Sequence, residues 1–190
     1  MIRVAITGNI ASGKSKVGEI ISDLGYKVYD ADKIAHEILY SSNEVLEAFK
    51  NFDILENGKI SRVKLGNIVF NNKGMKQKLE DIIHPQIREN IKEIFKANQD
   101  EQYVFVGIPL LFEANMQDLF DKVILVYCDD EIRKTRLMKR NNLTTEQAIA
   151  KINSQKSQDE KINLVDYVIK NESTIEVLKE QVKNCLINEQ

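Results

Sequence analysis

Residues Gly8 to Ser15, GNIASGKS, carry the spacing G-x-x-x-x-G-K-[ST] of a loop that cradles phosphate groups. A polyphosphate tail can be held by converging main-chain N–H groups only if the chain curls tightly around it. Gly8 and Gly13 permit the backbone angles and the close approach that a Cβ would hinder. Lys14 adds a point charge for the β- and γ-phosphates, and Ser15 offers its hydroxyl to Mg²⁺. The start of the following helix contributes roughly half a positive charge. These residue types in this order predict a nucleotide-handling protein.

A phosphate loop alone does not separate switches, motors and kinases. The chain has no D-x-x-G motif, and its one Asn-Lys pair continues as Asn72-Lys73-Gly74-Met75 without the aspartate of a guanine reader. A GTP switch is therefore disfavoured, and no apolar strand ends in the Asp-Glu pair of a motor ATPase. A small-molecule kinase needs a group to accept the proton of the substrate hydroxyl, cations that follow the moving phosphoryl, and a means of excluding water. Asp30 and Asp32 end an apolar run as Asp-Ala-Asp, and either can bond a hydroxyl or a water on magnesium; the alternative is that one of them caps the next helix. Arg136 and Arg140, four residues apart, share a helix face and suit a phosphate clamp, against the alternative of an ordinary solvated face. The Asn141-Asn142 break beside them fits a mobile lid. His36 and His84 stand in no arrangement that suggests a nucleophile.

The elements that must position these groups can be read from periodicity. Five strands are expected at Ile2 to Thr7, Lys27 to Asp30, Tyr103 to Gly107, Val123 to Tyr127 and Tyr167 to Lys170, with helical patterns between them. Strands apolar on successive residues are those of a parallel sheet covered on both faces, so the fold class is α/β. Ligands then bind at the carboxyl edge of the strands. Val17, Ile20, Ile21 and Leu24 mark a helix after the loop, ended by Gly25. The long stretch before Tyr103 has no convincing strand and reads as a helical insertion. Its helices are expected at Lys33 to Tyr40, from a capping box at Ser41 to Glu44, at Leu65 to Phe70 and at Met75 to Ile83. Asn57-Gly58 marks a turn. His84-Pro85 interrupts, with Pro85 at a first helical position ahead of Ile87, Ile91, Ile94 and Phe95. A helix from Asp129 to Arg140 presents a basic side with Arg133, Arg136 and Arg140. A second, capped at Thr144 to Gln147, runs past Ile152 and Gln155. The last helix is capped at Ser173 to Glu176 and turns Ile175, Leu178, Val182 and Leu186 to the core.

With 190 residues the chain suits one domain with inserted parts. Its net charge of −2, with charges spread over the whole length, provides no basic field for nucleic acid. Cys128 and Cys185 lie far apart without metal-ligand spacing, which fits buried thiols in a reducing compartment. The apolar run Tyr103 to Phe112 is far short of the roughly 20 residues of a membrane span, and the N-terminus enters a strand rather than a signal peptide. A soluble cytoplasmic protein with no membrane partner is expected; oligomeric state is not legible.

Taken in order, GNIASGKS, Asp30-Ala31-Asp32, His84-Pro85, Ile108-Pro109-Leu110-Leu111-Phe112-Glu113, Arg136 with Arg140, Gln155 and Asp166-Tyr167-Val168-Ile169-Lys170-Asn171 resemble the dephospho-CoA kinase family over nearly the whole chain. The resemblance implies a P-loop NTPase-type sheet of order 2-3-1-4-5 with helices on both faces. It also implies a helical substrate-side insertion over residues 33–98 and a helical lid over 129–155. The implied reaction carries the γ-phosphoryl of ATP to the ribose 3′-hydroxyl of dephospho-CoA, with Mg²⁺ as cofactor. Asp32 is then the general base, with Lys14 and Arg140 beside it in catalysis. Gly8, Ala11, Ser12, Gly13, Lys14, Ser15, Lys16, Arg136 and Arg140 hold ATP, and Ser15 meets the metal. Asp32, His84, Leu111 and Glu113 lie on the acceptor side. Asn9 and Ala11 depart from glycines usual in the loop, Lys16 from threonine, Arg133 from glutamine and Val165 from alanine. The other readings are a nucleoside or nucleoside monophosphate kinase, and a nucleotide-binding module without turnover.

Overall fold

The computed structural model describes residues 1–70 and 72–187. In chain order the elements are β1 (Ile2–Thr7), α1 (Lys14–Asp23), β2 (Lys27–Asp30), α2 (Ala31–Ser41), α3 (Asn43–Ala48), β3 (Leu55–Glu56), β4 (Lys59–Ile60), α4 (Arg62–Phe70), α5 (Lys73–Ala97) and β5 (Tyr103–Gly107). A 3-10 turn at Gln117–Leu119 leads to β6 (Lys122–Tyr127), α6 (Asp130–Asn141), α7 (Thr145–Asn153), α8 (Gln158–Ile162), β7 (Tyr167–Lys170) and α9 (Ile175–Ile187). The chain divides into two compact units, one of Met1–Asp30 with the chain from Asn98 onward, the other of Ala31–Ala97.

The first unit is built on a five-stranded sheet of order β2-β5-β1-β6-β7, all parallel. Leaving out the short pair β3 and β4, that is the 2-3-1-4-5 order implied by the family resemblance. Side chains alternate across the strands. Val4, Ile6, Tyr103, Phe105, Ile124, Val126 and Ile169 turn to one face and pack with Val17, Ile20 and Ile21 of α1 and Leu178, Val182, Cys185 and Leu186 of α9. Ala5, Val104, Val106, Val123 and Leu125, on the other face, are also buried, and α8 packs against β6. Burial on both faces is why β5 and β6 are apolar at consecutive positions. Gly25, at φ 94, closes α1 as expected. The last helix differs at its start: Thr174 rather than Ser173 accepts from the Val177 N–H, and Ile175 is exposed.

The Ala31–Ala97 unit departs further from expectation. The helix predicted at Lys33 begins two residues earlier, and because α2 runs through Ser41, Ser42 caps α3, accepting from the Val45 N–H. Asn57 and Gly58, at φ 50 and 75, turn a two-residue hairpin of β3 and β4 where no strand was expected. Such short strands carry no period to detect. Pro85 lies inside α5 rather than at a helix start. It deprives the Asp81 carbonyl of its donor, yet buried Ile83, Ile87, Ile91 and Phe95 keep one face in register on both sides of it. Continuous burial outweighs the lost hydrogen bond. Among the described residues no helix is long and apolar enough to cross a membrane.

Candidate active site

The Gly8–Ser15 loop joins β1, the central strand, to α1. Its geometry explains its composition. Gly13 has φ 97, and a Cβ there would stand 2.0 Å from the Asn171 Nδ2, which donates to the Ser12 carbonyl at 2.7 Å. At Gly8 a Cβ would meet Ser12 Oγ at 2.6 Å. No side chain caps α1, and within its first turn the Lys16 N–H bonds the Gly13 carbonyl at 2.9 Å; an uncapped helix start of this kind suits an anion. Ala11 stands at φ 62, a left-handed conformation costing roughly 1–2 kcal/mol for a residue with a Cβ.

Lys14 lies along the carboxyl end of the sheet. Its Nζ is 3.9 Å from Asp30 Oδ2, with the two side chains 11% and 32% exposed. Gly107, paired with Ile6 of β1 and Asp30 of β2, makes room for it: a Cβ on Gly107 would be 2.9 Å from the Lys14 Nζ. Ser15 is exposed at the start of α1, and exposed Lys16 bonds Glu19 at 2.8 Å.

Polar side chains from the end of the chain hold the loop from behind. The Ile10 N–H donates to Gln155 Oε1 at 2.7 Å, and Arg133 Nε donates to the Ile10 carbonyl at 3.0 Å. Asn9 Nδ2 donates to the Lys156 carbonyl at 2.7 Å. Lys161, 1% exposed, donates to Asn9 Oδ1 at 2.8 Å and to Glu113 Oε1 at 2.9 Å. Ile10 and Ala11 also pack against the apolar cluster of α6 and α7, which contains Leu137, Ala148 and Ile152.

The basic side of α6 is divided in the folded protein. Arg133 is buried, with Nη1 on Asp130 Oδ1 at 2.7 Å; burial pushes its pKa down while Asp130 opposes that shift. Arg136 donates to the Asn171 carbonyl at 3.0 Å and to Cys128 Sγ at 3.3 Å, over the ends of β6 and β7. Burial raises the pKa of that thiol. Arg140, one turn further on and exposed, donates to Asn141 Oδ1 at 2.9 Å, so the two guanidinium groups have different partners. Asn142, at φ 51, ends α6, and the capping box of Thr144 and Gln147 starts α7, which stops at Asn153 rather than passing Gln155.

Lys14, Asp30, Arg136, Arg140, Leu111 and Glu113 belong with the loop to the sheet-bearing unit; Leu111 is fully buried and Glu113 is held by Lys161. Asp32 and His84 belong to the Ala31–Ala97 unit. Asp32 is exposed in the first turn of α2, and half-buried His84 lies within α5. Gly107, Gln158 and Lys161 were not singled out from the sequence. Gln158, also buried, bonds the Cys128 carbonyl at 2.8 Å and Asp130 at 3.1 Å. Among the described residues no group of three or more His, Cys, Asp or Glu side chains could hold a metal ion.

A parallel sheet of this order, with a phosphate loop at the tip of its central strand and a lysine laid across its carboxyl edge, defines a P-loop kinase. The profile of the dephospho-CoA kinase family matches residues 2–176. A dephospho-CoA kinase of Carboxydothermus hydrogenoformans is 40% identical over 191 residues, covering 96% of this chain and 92% of that one. Among solved structures, the dephospho-CoA kinase from Campylobacter jejuni superposes with a TM-score of 0.77 at 37% identity, over 98% of this chain and 96% of the other. A Thermus thermophilus protein reaches a TM-score of 0.88 at 29% identity, over 99% and 97%. The chain belongs to the dephospho-CoA kinase family.

Proposed function

We infer that the protein transfers the γ-phosphoryl group of ATP to the ribose 3′-hydroxyl of dephospho-CoA, giving coenzyme A and ADP. The observation that carries this reading is family membership across residues 2–176 with Gly8, Gly13, Lys14 and Ser15 all in place.

In this reading the loop N–H groups and Lys14 grip the β- and γ-phosphates, where fixed donors stabilise charge as it spreads over the transferring group. Asp32 accepts the proton of the attacking hydroxyl. Its exposure at the start of α2 supports this role, since a carboxylate open to solvent can be reached by an acceptor. Arg136 and Arg140 belong to a lid over residues 129–155 that screens the phosphates from water. The insertion over 33–98 serves the acceptor, with His84 on it, and Leu111 and Glu113 of the segment after β5 serve the acceptor as well. Mg²⁺ arriving with ATP fits the oxygen donors at the loop, the Ser15 hydroxyl and the Asp30 carboxylate, because this ion takes one or two carboxylates together with substrate phosphates. When bound it would supply charge neutralisation to the transferring phosphoryl group. The same reading puts the reaction in the cytoplasm.

A panel of acceptors with Mg-ATP tests the assignment. The protein is expected to phosphorylate dephospho-CoA in preference to AMP, CMP, UMP, GMP and nucleosides. Preference for any of those would make it a nucleoside or nucleotide kinase, and ATP binding without a single turnover would make it a binding module.

A further inference from the structure

We propose that Lys161 is a positioning residue of the phosphate loop, acting through Asn9. The proposal rests on the loop being the triphosphate cradle of the function just given.

Lys161 is 1% exposed, and its ammonium bridges Asn9 Oδ1 at 2.8 Å and Glu113 Oε1 at 2.9 Å. Three separate segments therefore meet at one buried charge: the loop, the stretch after β5, and α8. Desolvating an ammonium is unfavourable, and an apolar side chain of similar volume often serves packing at least as well. What a methionine could not do is fix the orientation of the Asn9 amide. That amide is held at both ends, its oxygen by Lys161 and its nitrogen by the Lys156 carbonyl at 2.7 Å. The next residue, Ile10, is held at both its N–H and its carbonyl by Gln155 and Arg133. Directly after these pins comes Ala11 at φ 62. A residue with a Cβ persists in that conformation only where its surroundings over-determine it. The pins on Asn9 and Ile10 supply that constraint. The ammonium therefore sets where the loop donors converge while being buried away from the phosphate itself. The Asn9 side chain thus ties the loop to α8.

The test compares Asn9→Gly, Lys161→Met, Lys161→Arg and the Asn9→Gly/Lys161→Met pair. The measurements are steady-state kinetics in both substrates and the affinity for a fluorescent ATP analogue with Mg²⁺. Asn9→Gly and Lys161→Met are each expected to lower kcat/KM for ATP about 10- to 100-fold, the scale of an ångström-sized misplacement. The KM for dephospho-CoA should stay within about twofold. Lys161→Arg should recover most of the loss, and the double variant should be no worse than the poorer single one, as for two members of one unit. Asn9→Gly leaves the Lys161–Glu113 pair intact, so it decides the matter even if Lys161→Met does not fold. An Asn9→Gly variant with unchanged ATP kinetics and analogue affinity, or single losses that multiply in the pair, would overturn the proposal. If the wild-type protein ignores dephospho-CoA, the acceptor assignment fails, while the affinities of the variants for the ATP analogue still test the strut.

Discussion

Replacing Gly107 by alanine should separate activity from stability, because the atom it would displace is the working end of Lys14. An added Cβ would lie 2.9 Å from the Lys14 Nζ, where ordinary contact begins near 3.4 Å, so the ammonium must retreat by about half an ångström. The nearest backbone atom, the Tyr29 carbonyl oxygen, is 3.6 Å from that Cβ and need not move. A lysine tip swings aside at little cost, and a glycine-to-alanine change at a compatible strand position gains about 0.4–1 kcal/mol through the unfolded chain. The melting temperature should therefore hold or rise by up to about 4 °C. If an ångström of misplacement costs on the order of a hundredfold, half of that costs about tenfold, or about 1.4 kcal/mol of transition-state stabilisation. ADP release by Gly107→Ala would be compared with wild type and with Lys14→Ala, which sets the full loss, alongside thermal unfolding of all three. Unchanged kcat/KM for ATP in a fully folded Gly107→Ala would refute the working position assigned to Lys14. A drop of many degrees in melting temperature would refute the steric account of Gly107.

Two further outcomes are expected. Asp32→Asn should bind ATP nearly as well as wild type while turning over at least about a hundredfold more slowly, since a general base contributes on the order of 10²–10⁴ in rate; near-normal single-turnover rates would transfer the role to Asp30 or to water. In the sheet, hydrogen bonds from the Arg3 guanidinium and backbone N–H hold the Asp121 carboxyl at about 2, below its ordinary 3.8. A depressed carboxylate pKa stabilises the fold above the ordinary value, and that stabilisation is lost as pH falls from near 4 towards 2. Because the two side chains are 38% and 39% exposed, solvent screening reduces the effect to about 1 kcal/mol. Asp121→Asn should thus melt about 2–4 °C lower at pH 7, with the gap closing between pH 4 and pH 2; a gap independent of pH would assign the loss to packing.

The parallel sheet was legible because covering both faces makes β5 and the middle of β6 apolar at consecutive positions, a signal four or five residues long. The hairpin of β3 and β4 pairs two residues with two, so only its Asn57-Gly58 turn could be read. Pro85 misled because proline is a local signal and α5 is set by a longer one: Ile83, Ile87, Ile91 and Phe95 recur every four residues straight through it. The caps of α3 and α9 each sit one residue from the expected position, where two hydroxyl residues are adjacent and the length of the preceding element decides between them.

The same contrast between local and distant causes divides the site. A cradle of main-chain donors is specified by residues next to one another, since the glycines that let the backbone turn are the residues doing the turning; hence GNIASGKS was readable at once. What holds the cradle in shape arrives from 93 to 159 positions away in the chain, through Gly107, Gln155, Lys161 and Asn171. Lys161 lies in a run of lysines, aspartate, glutamate and glutamines that reads as solvated surface, and nothing in its neighbours predicts that the fold will bury it. Burial converts it from a surface charge into a directional contact, because in a low-dielectric interior an ammonium must find acceptors or leave. Asn9 follows the same logic. Set against the family resemblance it is only a departure from glycine; in the folded protein its amide oxygen joins Glu113 Oε1 in accepting from the buried lysine, while its nitrogen donates to the Lys156 carbonyl. Exchanging Lys161 takes from the Asn9 oxygen the donor that orients it, and exchanging Asn9 leaves Lys161 on Glu113 but cuts its tie to the loop, so the pair, rather than either side chain, is the unit on which the shape of the loop depends.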